Sequence, residues 1–248
     1  MGIVQRQGLK YSIVNFAGLA VSLVATIWLY PRVQAEYGLI GFLTTTAQLA
    51  LPFATLGVNQ ISVRFFARFS DKNRQHNGFL LLLLSWVMVA FGVFLFVVFL
   101  CRPLIINLLQ NRELLLRNHF WWIVPLLFFQ VFATILVQYT INFGRAAVAT
   151  FFNDFLIKIT VPVGLFGVWK GWWTVEAAIF GLILNYFLSI VGQAFYLKKI
   201  GEWHFDRRFL KIDRAVFREI AGFAAFGIAL NFAMFLVSRL DVLMVTWF

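Results

Sequence analysis

Seven stretches of 19 or more mostly apolar residues, at about 11–29, 39–63, 79–101, 120–144, 147–169, 175–197 and 220–248, restrict this chain to one class of fold. Each is long enough for a helix to cross the hydrocarbon of a bilayer, which takes roughly 20 residues. Inside a bilayer every backbone N–H and C=O must be satisfied within the segment, so such runs read as spanning helices. The expectation is an all-α, polytopic membrane helix bundle. A composition of 62% hydrophobic and 12% charged residues excludes a soluble domain of ordinary kind.

The net charge of +11 would fit a nucleic-acid partner if it formed a patch, but apart from Lys158 and Arg239 the basic residues lie at the N-terminus and in the connections between apolar runs. No nucleic acid is expected as a partner. Fourteen Lys and Arg fall at the N-terminus and in the second, fourth and sixth connections, against five in the first, third and fifth. The positive-inside rule then puts the N-terminus in the cytoplasm. Arg6 and Lys10 precede the first run, and no small-residue cleavage site follows it, so that run reads as an uncleaved helix.

The stretch 130–158 sets the functional expectation, because it puts polar and charged groups where a bilayer tolerates few. Gln130, Thr134, Gln138, Asn142 and Arg145 recur at helical spacing and share one face. Asn153, Asp154 and Lys158 follow in the next run, the last two at eight and twelve residues into it. A charge at the centre of a spanning helix costs roughly 3 kcal/mol on insertion scales, so such groups face a cavity or one another. Asp154 and Lys158 stand four apart with the acid first, the favourable order for an ion pair on one face. Pro162 removes the helical hydrogen bond to the carbonyl of Lys158. With Gly164 beyond it, this helix is expected to bend beside its charges. Pro52 is expected to break the second helix against Gln48 in the same way.

Shorter stripes run through the first span (Ser12, Asn15, Ser22, Thr26), the second (Thr44, Gln48, Thr55, Asn59) and the sixth (Asn185, Ser189, Gln193). Interhelical hydrogen bonding is the simple reading of uncharged stripes, and a wet pathway the functional one. The third span, interrupted only by Ser85 and Gly92, should face lipid on most sides. The basic segment 198–219 alternates charged with apolar residues, as a helix lying along the membrane surface would. Cys101 is the single cysteine, and His76, His119 and His204 stand alone in connections and read as surface histidines. No metal or other cofactor is expected. With no histidine in a span, no paired acids in a loop and no Gly-rich phosphate loop, a membrane-embedded transferase is disfavoured and no catalytic residue is named.

Asn15, Phe16, Ala17, Val21 and Ser22 match Asn231, Phe232, Ala233, Val237 and Ser238 in register. A transporter made of two parallel six-helix halves repeats its first helix as its seventh. Residues 1–218 are accordingly expected to form a six-helix lobe, with an amphipathic linker at about 198–218. Residues 219–248 are expected to be the first helix of a second lobe that the chain does not complete.

The run Tyr30, Pro31, Arg32, Glu36, Tyr37, Gly38, Leu39, then Leu56, Gly57 and Arg64, resembles the opening of the polysaccharide-transport family of bacterial lipid-linked oligosaccharide flippases. These belong to the multidrug, oligosaccharidyl-lipid and polysaccharide exporter superfamily. Arg145 and the stretch Ser238, Arg239, Leu240, Asp241 fit the same pattern. The resemblance implies two six-helix lobes with alternating access to a central cavity in the bacterial inner membrane. It also implies transport of a polyprenyl-pyrophosphate-linked glycan for surface polysaccharide such as O-antigen or lipopolysaccharide. The glycan and membrane lipids are the implied partners, with other polysaccharide-assembly proteins as further candidates.

A pyrophosphate in a low-dielectric cavity needs cations, and Lys158, Arg145, Arg32, Arg64 and Arg239 lie in spans or at their ends. Lys158 and Arg145 are expected to contact phosphate, with Asn153, Gln138 and Asn142 on sugar hydroxyls. Asp154 is expected to hold Lys158 or to serve ion coupling. Arg239 and Asp241 are two apart and cannot share a helical face, so one of them is expected to pair across helices. The alternatives are a multidrug or cation antiporter of the same superfamily, with Asp154 as the working group, and a non-transporting fragment or assembly subunit.

Overall fold

The computed structural model describes residues 3–70, 76, 78–109, 114–203 and 214–247, and the side chains at these positions apart from 3–7, 108–109, 231 and 234–247. The described residues form helices and no strands. In chain order the α-helices are α1 (Ile3–Val24), α2 (Gln34–Thr55), α3 (Val58–Phe69), α4 (Phe79–Leu100), α5 (Arg102–Leu109), α6 (Leu114–His119), α7 (Ile123–Asn142), α8 (Ala146–Thr150), α9 (Leu156–Trp169), α10 (Val175–Lys199) and α11 (Arg214–Trp247). Two π-helical segments, Ala25–Leu29 after α1 and Phe151–Phe155 between α8 and α9, extend their helices without a break in the chain's path. Six helical stretches are long and apolar enough to cross a membrane: Gly8–Arg32, Gln34–Thr55, Phe79–Leu100, Leu114–Asn142, Ala146–Trp169 and Val175–Lys199. The chain is a multi-pass membrane protein with an all-α fold. The expected seventh span falls within α11, which is not among these six stretches.

Packing divides the chain into two compact units, one of Met1–Ala47 with Arg102–Trp203 and the other of Gln48–Cys101 with His204–Phe248. In the first unit α10 is the central helix, packed against α7 on one side and α9 on the other, while α1 packs against α8, the second π-helix and α9. Side-chain pairs fix the directions. His119 meets Glu176, Phe129 stacks edge-on against Phe187, and Thr140 meets Gln193, so α7 and α10 run parallel. Phe152 covers Gly192, Thr160 meets Asn185 and Gly164 abuts Ala178, so α9 runs antiparallel to α10. Leu126, Leu127, Ile135, Tyr139, Leu165 and Ile179 are fully buried between these helices.

The α10 stripe is the seam of this unit. Asn185, Ser189 and Gln193 are all buried, and each amide reaches a threonine on a neighbouring helix: Asn185 to Thr160 of α9 at 3.1 Å, Gln193 to Thr140 of α7 at 3.2 Å. Each hydroxyl also lies within 2.9 Å of its own helix's carbonyl, Leu156 or Leu136. A hydroxyl has one proton, shared here between that carbonyl and the amide oxygen across the interface, while Gln193 Nε2 donates to Ser189 Oγ at 3.1 Å. This stripe is therefore interhelical bonding, the simpler of the two readings.

The second unit corrects the expectation for the second span. The helix does not continue to residue 63, and Pro52 is carried inside α2. The chain turns instead at Leu56 and Gly57, both with positive φ (44° and 69°). A Cβ on Gly57 would stand 2.6 Å from the carbonyl oxygen of Ala224 and 3.3 Å from the Cα of Gly227. Glycine is required there twice over, by its conformation and by the close approach of α11 to α3. Phe65 of α3 against Phe223 continues that contact, and Phe53 of α2 meets Phe232. α4 buries Phe79, Leu80, Leu83, Val87 and Phe91 along its first half. Its second half leaves Val93, Phe96, Val97, Phe99 and Leu100 exposed, as a lipid-facing helix should.

Two histidines depart from the surface expectation. His119 is buried and bonds Glu176 through Nε2 at 3.0 Å, and His76 is buried with its ring stacked on Phe66. His204 and residues 204–213 of the expected surface helix lie outside the described residues. From Arg214 onward that segment is part of α11.

Candidate functional site

The charged turn of the fifth span is built on a helical irregularity. Asn153 and Asp154 lie within the π-helix Phe151–Phe155, and Lys158 stands at the start of α9, one turn beyond. π-helical segments arise where an extra residue is accommodated in a helix and recur at functional sites. This one falls among the polar residues that the sequence singles out. All three side chains are half-buried.

Asp154 and Lys158 do not pair. Asp154 accepts a hydrogen bond from Asn153 Nδ2 at 2.7 Å, and Tyr186 of α10 is within its electrostatic reach. Among the described residues no carboxylate pairs with the Lys158 ammonium. The expected i, i+4 bridge assumes uniform α-helical pitch, and the π-helix ending at Phe155 alters the angle between positions 154 and 158.

Lys158 instead lies across α1. A Cβ built on Gly18 would stand 2.8 Å from Lys158 Cδ and 3.5 Å from Nζ, with the Phe155 ring at 3.4 Å. The absence of a side chain at position 18 makes the slot in which the lysine stem rests. Gly18 is buried and lies near the middle of its apolar stretch, as Lys158 does. Two further contacts put α1 and α9 in parallel register: Trp28 meets Phe166 and Trp169, and Arg32 stacks over Trp28 at 4.2 Å and Trp169 at 5.2 Å. Sequence reading names Lys158 but not Gly18, since a glycine in an apolar run carries no signal until its neighbour is known.

Arg145 occupies the turn between α7 and α8. Gly144, at φ 72°, ends α7, and the Arg145 carbonyl accepts the N–H groups of Val148 and Ala149 to start α8. Its side chain is half-buried, as are those of Gln138 and Asn142, which bond to each other at 3.3 Å. Gln130, at the other end of the same stripe, is buried with its Oε1 unsatisfied. Thirteen residues separate Arg145 from Lys158, about 20 Å of helix rise. The two cations therefore stand at different depths of the span.

The remaining site residues have other settings. Arg32 donates to the Trp28 carbonyl at 2.7 Å and is held between two indole rings, beside the stacked Tyr30 and Tyr37. Arg64, in the second unit, lies 3.9 Å from Glu219 and 4.4 Å from the Phe223 ring. Pro162 and Gly164 sit inside α9, which continues through both. Gly164 makes close contact with Ala178, and its carbonyl accepts the Trp173 indole N–H at 2.8 Å, so it is a packing position in this structure. Arg239 and Asp241 lie in α11 with side chains outside those described.

A family model described as polysaccharide biosynthesis protein matches residues 11–248. Searches of curated proteins and of solved structures found no match.

Proposed function

Because the chain belongs to the polysaccharide biosynthesis protein family, we propose that it moves a lipid-linked oligosaccharide across the bacterial inner membrane, with its N-terminus in the cytoplasm. The observation that carries this is Lys158. Its ammonium is near the middle of a span, in a slot at Gly18, with no carboxylate paired to it among the described residues. An uncompensated ammonium at that depth is costly to insert, and an anionic ligand or water offsets the cost. A pyrophosphate supplies the charge, and the glycan supplies hydroxyls for half-buried Asn153, Gln138 and Asn142.

The separation of Arg145 from Lys158 gives the two cations successive roles. Arg145, in a connection on the basic side, meets the phosphates at the cytoplasmic end, and Lys158 receives them at mid-depth. Asp154 is hydrogen-bonded to Asn153, one turn from the ammonium, and in this reading orients Asn153 toward the glycan. No catalytic step is part of this mechanism.

The test compares Lys158→Gln with Lys158→Arg in the intact gene product, with export of the surface glycan measured per correctly inserted protein. Charge binding requires Gln to lower export at least tenfold and Arg to retain most of it. Full export by the Gln variant removes Lys158 from the substrate path. Loss in Asp154→Asn alone, with Lys158→Gln active, moves the assignment to the cation-antiporter alternative.

A further inference from the structure

The second unit holds a cavity of about 880 Å³ that the transport reading does not use. One wall is the first half of α4, with Leu82, Trp86 and Val89, and the other is the start of α11, with Phe217 between Arg214 and Arg218. The few other polar groups on the walls are already bonded inside the protein: Ser85 donates to the Leu81 carbonyl at 2.7 Å, and Trp86 Nε1 to the Leu56 carbonyl at 3.4 Å. Hydrocarbon suits such walls, and its volume is that of a small-molecule site.

The two arginines are four residues apart on one helical face, and both are exposed. The acid next to them, Glu219, is taken by Arg68 at 3.0 Å and Arg64 at 3.9 Å. Among the described residues Arg214 and Arg218 make no ion pair. A greasy cleft with a pair of guanidinium groups along one wall matches an amphiphile with an anionic head. These residues adjoin basic connections, the side that the positive-inside rule places against the anionic cytoplasmic leaflet.

We infer that this cleft binds one anionic phospholipid of the cytoplasmic leaflet, its phosphate on Arg214 and Arg218 and an acyl chain along Leu82, Trp86 and Val89. The guanidinium pair chooses the head, and α4 seats the chain. The site stands in the second unit by itself and does not depend on the identity of the transported molecule.

Native mass spectrometry of the intact protein, delipidated and titrated with phosphatidylglycerol or phosphatidylcholine, tests it. One phosphatidylglycerol is expected to bind about 30-fold more tightly than phosphatidylcholine, the factor for two cations at an anionic head. R214Q/R218Q should abolish the preference. Val89→Trp, at an exposed wall position, should fill the cleft and lower phosphatidylglycerol binding at least tenfold, leaving the thermal melt unchanged. Equal binding of the two lipids, or insensitivity to either variant, overturns the site. Preferential binding of undecaprenyl phosphate over phosphatidylglycerol overturns it too, and assigns the cleft to the transported lipid.

Discussion

Gly18→Ala separates the position of the Lys158 charge from the stability of the fold. The new methyl carbon would stand 2.8 Å from Lys158 Cδ, and ordinary contact begins near 3.4 Å. The lysine stem must therefore move by more than half an ångström. It is flexible, so a strained torsion costs about 0.5–1.5 kcal/mol. Replacing a mid-helix glycine by alanine returns roughly 1 kcal/mol in helix propensity. The two nearly cancel, and the thermal melt of Gly18→Ala should lie close to the wild type. Export should nevertheless fall, because the ammonium has been displaced, and Gly18→Val, which fills the slot, should reduce it further. In a Lys158→Ala background the clash is gone, so Gly18→Ala should then stabilise by the full propensity gain. That coupling of about 1 kcal/mol, read from melts of the four proteins, is the signature of direct contact. Additive melts together with full export by Gly18→Val would refute the slot and its role at once.

Three other perturbations test the packing around the site. Gly57→Ala puts a Cβ into a left-handed turn and 2.6 Å from a backbone oxygen, neither of which can yield, and should destabilise by about 2–4 kcal/mol in a detergent melt. Thr140→Val and Gln193→Leu, made singly and together, should show a coupling of roughly 0.6 kcal/mol, the usual worth of an interhelical hydrogen bond in membranes; zero coupling would mean the α10 stripe does not bond α7. Arg32→Ala loses two indole contacts and should cost about 1 kcal/mol of stability, with export per folded molecule unchanged; a fall in export at equal folding would return Arg32 to the substrate path.

The class of fold was legible in the chain because a bilayer imposes a local rule: about twenty apolar residues in a row, with polar groups recurring at helical spacing. Those signals are contained in single segments, and they marked six spanning helices, the lipid-facing half of α4 and the charged turn at 153–158, though not the turn at Leu56 and Gly57 that ends α2. Partnership between segments was not contained in them. That Asn185 and Gln193 bond threonines on α9 and α7 depends on α10 lying between those helices. That Arg32 and Arg64 lie against the rings of Trp28, Trp169 and Phe223 likewise depends on segments distant in the chain.

The π-helix at Phe151–Phe155 has the same origin, since its sequence holds nothing that forbids α-helical pitch. Asp154 lies within it and bonds Asn153 instead of Lys158, an arrangement that no spacing rule applied to one segment could find. Sequence alone determined that this chain crosses a membrane many times and carries ionisable groups inside it. Only tertiary structure decided which polar groups satisfy one another, because burial and pairing belong to two surfaces in contact, and a glycine such as Gly18 acquires meaning only from the lysine that rests on it.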